Sequence, residues 1–87
     1  MNCMIVDDEE LAHSVVEEYI SRTPFLKLKK NCYHAFEAME ELQKSKIDII
    51  FLDINLPEIT GIEFLKSTPN LPMIIFTTAY NNYAIEG

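Results

Sequence analysis

Residues 47–61 read I-D-I-I-F-L-D-I-N-L-P-E-I-T-G, and this stretch decides the fold. Five of its first six residues are apolar, and a short run rich in β-branched and aromatic residues is typical of a strand buried on both faces. The run ends on Asp53, which is followed by residues typical of a turn into a new helix: Asn55, Pro57 and Gly61. Ligand sites in open parallel sheets lie at the carboxyl ends of such strands, so Asp53 is a candidate site residue.

Two further apolar runs also end on oxygen-bearing side chains. Residues 3–6 lead into two aspartates followed by two glutamates, and residues 73–76 lead into two threonines. If the three runs are neighbouring parallel strands, their carboxyl ends meet at one edge of the sheet and bring these oxygen atoms together. Such a set predicts a site for a hard cation, with a spare carboxylate and a hydroxyl beside it. The predicted site comprises Asp7, Asp8, Asp53 and a hydroxyl from the pair Thr77-Thr78.

Strand and helix patterns alternate along the chain. Strands are predicted at residues 2–6, 25–32, 47–52 and 73–77. Helices are predicted from residue 9 or 10 to about residue 21, at residues 35–44 and at residues 61–67. This alternation predicts an α/β fold with a parallel sheet and right-handed crossovers.

Both long helices are predicted to be amphipathic. The apolar residues of the first helix recur at helical spacing: Leu11, Val15, Val16, Tyr19 and Ile20. The second helix presents one apolar face, formed by Ala35, Ala38, Met39 and Leu42. The two histidines have no metal-ligand spacing; His13 is predicted at the surface or boundary of the first helix and His34 at the start of the second.

Composition limits the function classes. Fourteen acids against seven bases give a formal charge of −7, which argues against direct nucleic-acid binding by this segment. Cys3 and Cys32 lie inside apolar runs without metal-ligand spacing, so we expect free thiols and a reducing, cytoplasmic setting. No apolar run approaches the roughly 20 residues that a membrane-spanning helix needs. The sequence therefore predicts one small soluble domain.

Over its whole length the sequence resembles the receiver domain of two-component response regulators. Asp7 and Asp8 resemble the acidic pair of that family, Asp53 its phosphoacceptor, and Thr78 with Ala79 its switch threonine and the small residue after it. The wording of three segments is most similar to receivers attached to LytTR-type DNA-binding domains: residues 3–10, 51–57 and 76–80.

The resemblance implies a flavodoxin-like three-layer sandwich in which the strand order 2-1-3-4 is present. The fifth strand of the family, which carries an essential lysine, and the fifth helix are absent from residues 1–87. We therefore interpret the sequence as the N-terminal three quarters of a receiver, truncated from a longer chain. Its fourth strand is then an open edge, and exposed apolar surface favours association with a second copy.

The resemblance also implies a mechanism. Mg²⁺ is expected on Asp8, Asp53 and the backbone carbonyl of Asn55, with Asp7 acting through water. Asp53 would accept a phosphoryl group from a sensor histidine kinase, and the hydroxyl of Thr78 would bond the phosphoryl oxygen atoms. The module would then switch a downstream effector domain, expected to be a LytTR-type DNA-binding domain, and would not itself be an enzyme.

Three alternatives stay open at this point. A Mg²⁺-dependent phosphohydrolase of the haloacid dehalogenase type also places a nucleophilic aspartate after a strand. That family has a second acid two residues after its nucleophile, at the position where this chain has Asn55. The second alternative is a receiver-like interaction module that does not accept a phosphoryl group. The third alternative concerns only Asp7 and Asp8, which would then cap the first helix and bind no metal.

Overall fold

The computed structural model describes residues 1–53, 63, 66 and 72–77. Its elements are β1 (Asn2–Val6), α1 (Glu10–Ser21), β2 (Lys27–Cys32), α2 (Ala35–Lys44), β3 (Ile49–Asp53) and β4 (Met73–Thr77). The four strands form one parallel sheet of order β2-β1-β3-β4. The predicted α/β fold and strand order are confirmed. The helix predicted at residues 61–67 lies outside the described residues, apart from Glu63 and Lys66, which are helical.

The central strands are covered on both faces. Side chains alternate across β1, so that Met4 and Val6 join the cluster under α2 while Cys3 and Ile5 join the cluster under α1. The strand β3 alternates in the same way, with Ile50 and Leu52 on the α2 side. Burial on both faces explains why these two strands read as continuous apolar runs.

The predicted bounds of two strands are wrong, at the start of β2 and at both ends of β3, and strand pairing sets the observed bounds. The strand β2 begins at Lys27, two residues later than predicted, because its partner β1 begins at Asn2, which aligns with Lys27. The strand β3 runs from Ile49 to Asp53, whereas the prediction was residues 47–52. Asp53 belongs to the strand because it aligns with Thr77 of β4.

The prediction for His13 is wrong, because its side chain is only 1% exposed. The apolar residues expected on one face of α1 divide into two groups. Ile20 is buried and Val16 packs against the core, whereas three are exposed: Leu11, Val15 and Tyr19. The polar side of α1 that carries His13 therefore faces inward, toward the end of β2, where its ring is hydrogen-bonded.

The apolar face predicted for α2 is confirmed, and the two cysteines are free, as predicted. Ala35 and Ala38 are buried, and Met39 and Leu42 pack against the same cluster. Both cysteines are free and buried, and they belong to clusters on opposite faces of the sheet. Neither α1 nor α2 has the length and hydrophobicity of a membrane-spanning helix, and the rest of the described chain offers no other candidate.

The helix α2 begins after His34, which takes an extended conformation and makes no side-chain capping bond. The start of the helix is instead tied to Glu37, whose Oε1 accepts the backbone N–H of Tyr33 at 2.8 Å. This bond is the main reason why the pKa of Glu37 lies below its ordinary value of 4.5. The carboxylate of Glu37 thus joins the first turn of the helix to the residue before its N-cap.

We expect Glu37→Gln to destabilise the domain at pH 7 by about 0.5 kcal/mol, because a partly solvated bond to a charged acceptor becomes a bond to a neutral one. The folded pKa is lowered, so the stabilisation is present above 4.5 and is lost as the pH falls through the folded value. Urea unfolding of both proteins from pH 7 downward measures the gap, which should close at low pH. Glu40→Gln, on an exposed position of the same helix, is the matched control; an equal loss there contradicts the assignment.

Candidate metal centre

The acidic residues meet where the chain reverses its direction of winding. From β1 the chain crosses through α1 to β2 on one side, and β3 lies on the other side of β1. Ligand crevices in doubly wound sheets lie at such a point, at the carboxyl ends of the strands. Val6 of β1 aligns with Leu52 of β3, so Asp7 and Asp53 follow at equivalent positions.

The predicted convergence of the three acids is present. One carboxylate oxygen atom from each of Asp7, Asp8 and Asp53 lies within 4.8 Å of the other two. Asp7 is only 4% exposed, Asp53 is half-buried and Asp8 is exposed. Oxygen donors at this spacing fit a hard divalent cation such as Mg²⁺, which is usually held by one or two carboxylates and several waters.

Asp7 also shapes the turn before α1. Its Oδ1 accepts the backbone N–H of Glu9 at 2.9 Å, and its own N–H donates to the carbonyl of Cys32 at 3.0 Å. Glu9 is the N-cap residue of α1 and makes no side-chain capping bond. A capping role thus explains one bond of Asp7 but leaves its closeness to Asp53 unexplained.

The charge of Asp7 is costly without a cation. Burial raises the pKa of its carboxyl group, and the bond from the Glu9 N–H lowers that pKa in part. The neighbouring carboxylates of Asp53 and Asp8 raise the pKa further. The cluster therefore stores repulsion that a bound cation would relieve.

We expect Asp7→Asn to raise the free energy of unfolding by about 1 kcal/mol in a chelator at pH 7, a gain that is common where charge is held for function. Asparagine keeps an oxygen acceptor for the Glu9 N–H and removes the buried negative charge. Urea unfolding measures the change. Asp48→Asn is the control, since the Oδ2 of Asp48 accepts the Asn2 N–H at 2.8 Å away from the cluster. A loss of stability in Asp7→Asn would contradict the repulsion.

Two predicted site residues, Asn55 and Thr78, lie outside the described residues. The alignment of Thr77 with Asp53 does bring the end of β4 to the same edge of the sheet.

A polar network that was not predicted from the sequence lies behind the cluster. His13 contacts the main chain of Asp7 and the side chain of Asn31, which in turn bonds Glu17. A helical signal was available, because residues three and four apart share one face of a helix. Glu10, His13 and Glu17 have this spacing: His13 and Glu17 contact Asn31 of β2, and Glu10 accepts from Tyr33 just after that strand. The partner on β2 is distant in sequence and gives no local signal.

Comparison with known proteins identifies the family. Residues 3–87 match the response regulator receiver domain. The chain is 38% identical over 89 residues to the sensory transduction protein LytT of Bacillus anthracis, covering 99% of this chain and 36% of that protein. It is 33% identical over 88 residues to an uncharacterized response regulatory protein of Shewanella oneidensis, covering 99% of this chain and 37% of that protein. The chain thus spans little more than a third of the length of these relatives.

A solved structure agrees in fold. The response regulatory domain of protein mrkE from Klebsiella pneumoniae superposes with a TM-score of 0.79 at 30% identity, covering 99% of this chain and 73% of that one. The strand order β2-β1-β3-β4 and the acidic site at the carboxyl ends of β1 and β3 are those expected of a receiver domain. The family match over residues 3–87 agrees with both. The chain therefore belongs to the response regulator receiver domain family of two-component signalling.

Proposed function

We propose that Asp53 is the phosphoacceptor of this receiver domain and takes a phosphoryl group from a sensor histidine kinase. One observation carries the proposal: the carboxylates of Asp7, Asp8 and Asp53 converge within 4.8 Å at the ends of two parallel strands. Receiver domains are signalling modules, and the family match favours this role over the phosphohydrolase alternative. Asn55, in the place of a second acid, argues against that alternative as well.

The proposed metal ligands are Asp8, Asp53 and the backbone carbonyl of Asn55, with Asp7 acting through water. The donor set is all oxygen, as Mg²⁺ prefers. Bound Mg²⁺ would supply charge neutralisation, so that an anionic phosphoryl group can approach the acidic cluster. The half-buried position of Asp53 leaves its carboxylate within reach of a partner.

The transfer uses one carboxylate oxygen atom of Asp53 as the nucleophile. A P–O bond forms to the phosphorus atom of a phosphohistidine on the kinase, and the P–N bond breaks. The electron pair of that bond stays on the imidazole nitrogen atom, which takes up a proton from solvent. The product is an acyl phosphate on Asp53, and the step relies on positioning and charge more than on acid–base catalysis.

We propose that the hydroxyl of Thr78 bonds the phosphoryl oxygen atoms and passes the signal to an output domain. The partners are then a sensor histidine kinase and a C-terminal effector domain, with a LytTR-type DNA-binding domain as the best candidate. The similarity to LytT sensory transduction proteins of more than twice this length supports that candidate. Two free, buried cysteines support a cytoplasmic setting.

A second copy of the chain is a further proposed partner. Three apolar residues of β4, at the edge of the described sheet, are exposed and would be covered by association: Met73, Ile75 and Phe76. Sedimentation at high protein concentration tests this association, and a monomer throughout would count against it.

The phosphoacceptor proposal is tested by intact mass after incubation with acetyl phosphate, with and without Mg²⁺, followed by peptide mapping. We expect one Mg²⁺-dependent, base-labile phosphoryl adduct on Asp53. Asp53→Asn should carry none, whereas Asp48→Asn, just before the opposite end of β3, should be modified like the wild type.

If residues 1–87 carry no adduct but a chain extended through the fifth strand and helix does, the site needs groups beyond this segment. No adduct on either chain would refute the phosphoacceptor role and leave a receiver-like binding module. Continuous release of phosphate from a monoester substrate would instead favour the phosphohydrolase.

A further inference from the structure

A buried histidine lies directly behind the acidic cluster. The Nε2 atom of His13 is 2.8 Å from the main-chain oxygen atom of Asp7, and its Nδ1 atom is 2.8 Å from the Oδ1 atom of Asn31 on β2. The ring stacks on Tyr33, with 4.2 Å between ring centroids and 23° between planes. The imidazole is thus held at both nitrogen atoms and on one face.

The direction of each hydrogen bond follows from its partner. A carbonyl oxygen only accepts, so Nε2 of His13 donates to Asp7. The Nδ2 atom of Asn31 donates to the Oε2 atom of Glu17 at 2.9 Å, which turns the Oδ1 atom of Asn31 toward the ring. A doubly protonated ring donates to both oxygen atoms, whereas a neutral ring has one N–H and donates to only one of them. The bond to Asp7 requires the hydrogen atom on Nε2.

The bond from His13 completes the hold on Asp7. The N–H of Asp7 donates to Cys32 and its carboxylate accepts from Glu9. The carbonyl that His13 contacts belongs to the peptide between Asp7 and Asp8. Fixing that peptide sets the direction in which the chain enters Asp8, whose own side chain is exposed.

We propose that His13 is a positioning residue of the metal site. By donating to the carbonyl of Asp7, it holds the Asp7–Asp8 peptide so that both carboxylates face Asp53, and it thereby raises the affinity of the site for a divalent cation. Asn31 and Glu17 act behind it by holding the ring in the donating orientation. This inference rests on the proposed function, since it takes the acidic cluster to be the Mg²⁺ site.

The test is a Mg²⁺ titration of the chain, followed by the backbone amide shifts of residues 7–9 and 53 in two-dimensional NMR spectra. Two substitutions separate the two ring nitrogen atoms. His13→Gln places an amide N–H near the position of Nε2, and His13→Asn places one near Nδ1. We expect about tenfold weaker Mg²⁺ binding for His13→Asn and near wild-type binding for His13→Gln. A tenfold loss is at the lower end of the range for substitution of residues that hydrogen-bond metal ligands.

The split between these two variants is the decisive readout. A merely structural role would lower the stability of both and leave their Mg²⁺ affinities equal, which overturns the proposal. If His13→Asn does not fold, Asn31→Ala takes its place in the titration, with Lys29→Ala on an exposed position of the same strand as control. Weaker Mg²⁺ binding in Asn31→Ala supports the proposal, and wild-type affinity overturns it. Absence of Mg²⁺ shifts in the wild type would refute the metal site itself, a different result from equal affinities among the variants.

Discussion

Ile50→Ala is expected to lower the free energy of unfolding by about 3 kcal/mol, within the range for an isoleucine lost from a close-packed core. Ile50 is fully buried in the middle of β3, and it aligns with Met4 on one side and Ile74 on the other. Alanine leaves a cavity beneath α2, because β1 and β4, which are both paired with β3, cannot move to fill it. In a domain of this size such a loss is a large share of the total stability.

Urea unfolding followed by circular dichroism measures the change. Ile50→Val should lose only about 1 kcal/mol, because one methylene group is removed. Leu11→Ala, on α1 at 77% exposure, should change stability by less than about 0.5 kcal/mol. Equal losses at Ile50 and Leu11 would contradict the placement of β3 at the centre of the sheet.

Asp8→Asn is expected to weaken Mg²⁺ binding by on the order of 100-fold. This is at or above the largest loss of affinity that is typical when a residue hydrogen-bonded to a metal ligand is substituted. The reason is that Mg²⁺ is held by few protein carboxylates, so one lost ligand is a large share of its protein contacts. The substitution also lessens repulsion within the cluster, so the domain should not be destabilised. Isothermal titration calorimetry with MgCl₂ measures the affinity.

Glu9→Gln is the matched control for Asp8→Asn. Both substitutions remove one unit from the formal charge of −7, and both lie in the exposed turn before α1. Glu9 stands outside the three-carboxylate cluster, so its loss should leave the affinity nearly unchanged. Equal weakening by both variants would mean that Mg²⁺ responds only to the overall field of the acidic turn.

The fold could be predicted where burial is continuous. Residues 3–6 of β1 and 49–52 of β3 are all apolar and buried, so the position of these strands at the sheet centre follows from composition and pattern. The prediction for the edge strand β2 was less accurate, because the start of this strand depends on where β1 begins and not on its own residues. The end of β3 was misplaced by one residue for a similar reason, since pairing with Thr77 draws Asp53 into the strand.

The acidic cluster could be predicted because its three acids stand at the ends of two apolar runs. The burial of His13 could not be predicted, since hydropathy assigns a histidine among exposed residues to the surface. Its burial is made possible by two oxygen acceptors, one of them on Asn31, eighteen residues away. Such pairing lowers the cost of burying a polar ring, and a pattern within one helix does not reveal it.

The two cysteines make each layer of the domain separately observable. Cys3 lies under α1 and Cys32 under α2, and neither side chain is exposed. Burial raises the pKa of Cys3, and it raises the pKa of Cys32 to about 12, so the thiolate form that reacts with alkylating reagents is scarce in the folded chain. Pulsed alkylation in native buffer therefore times the opening of each helix from the sheet. Comparing the two rates, with and without Mg²⁺, would show which layer yields first and whether the cation stabilises one layer or both.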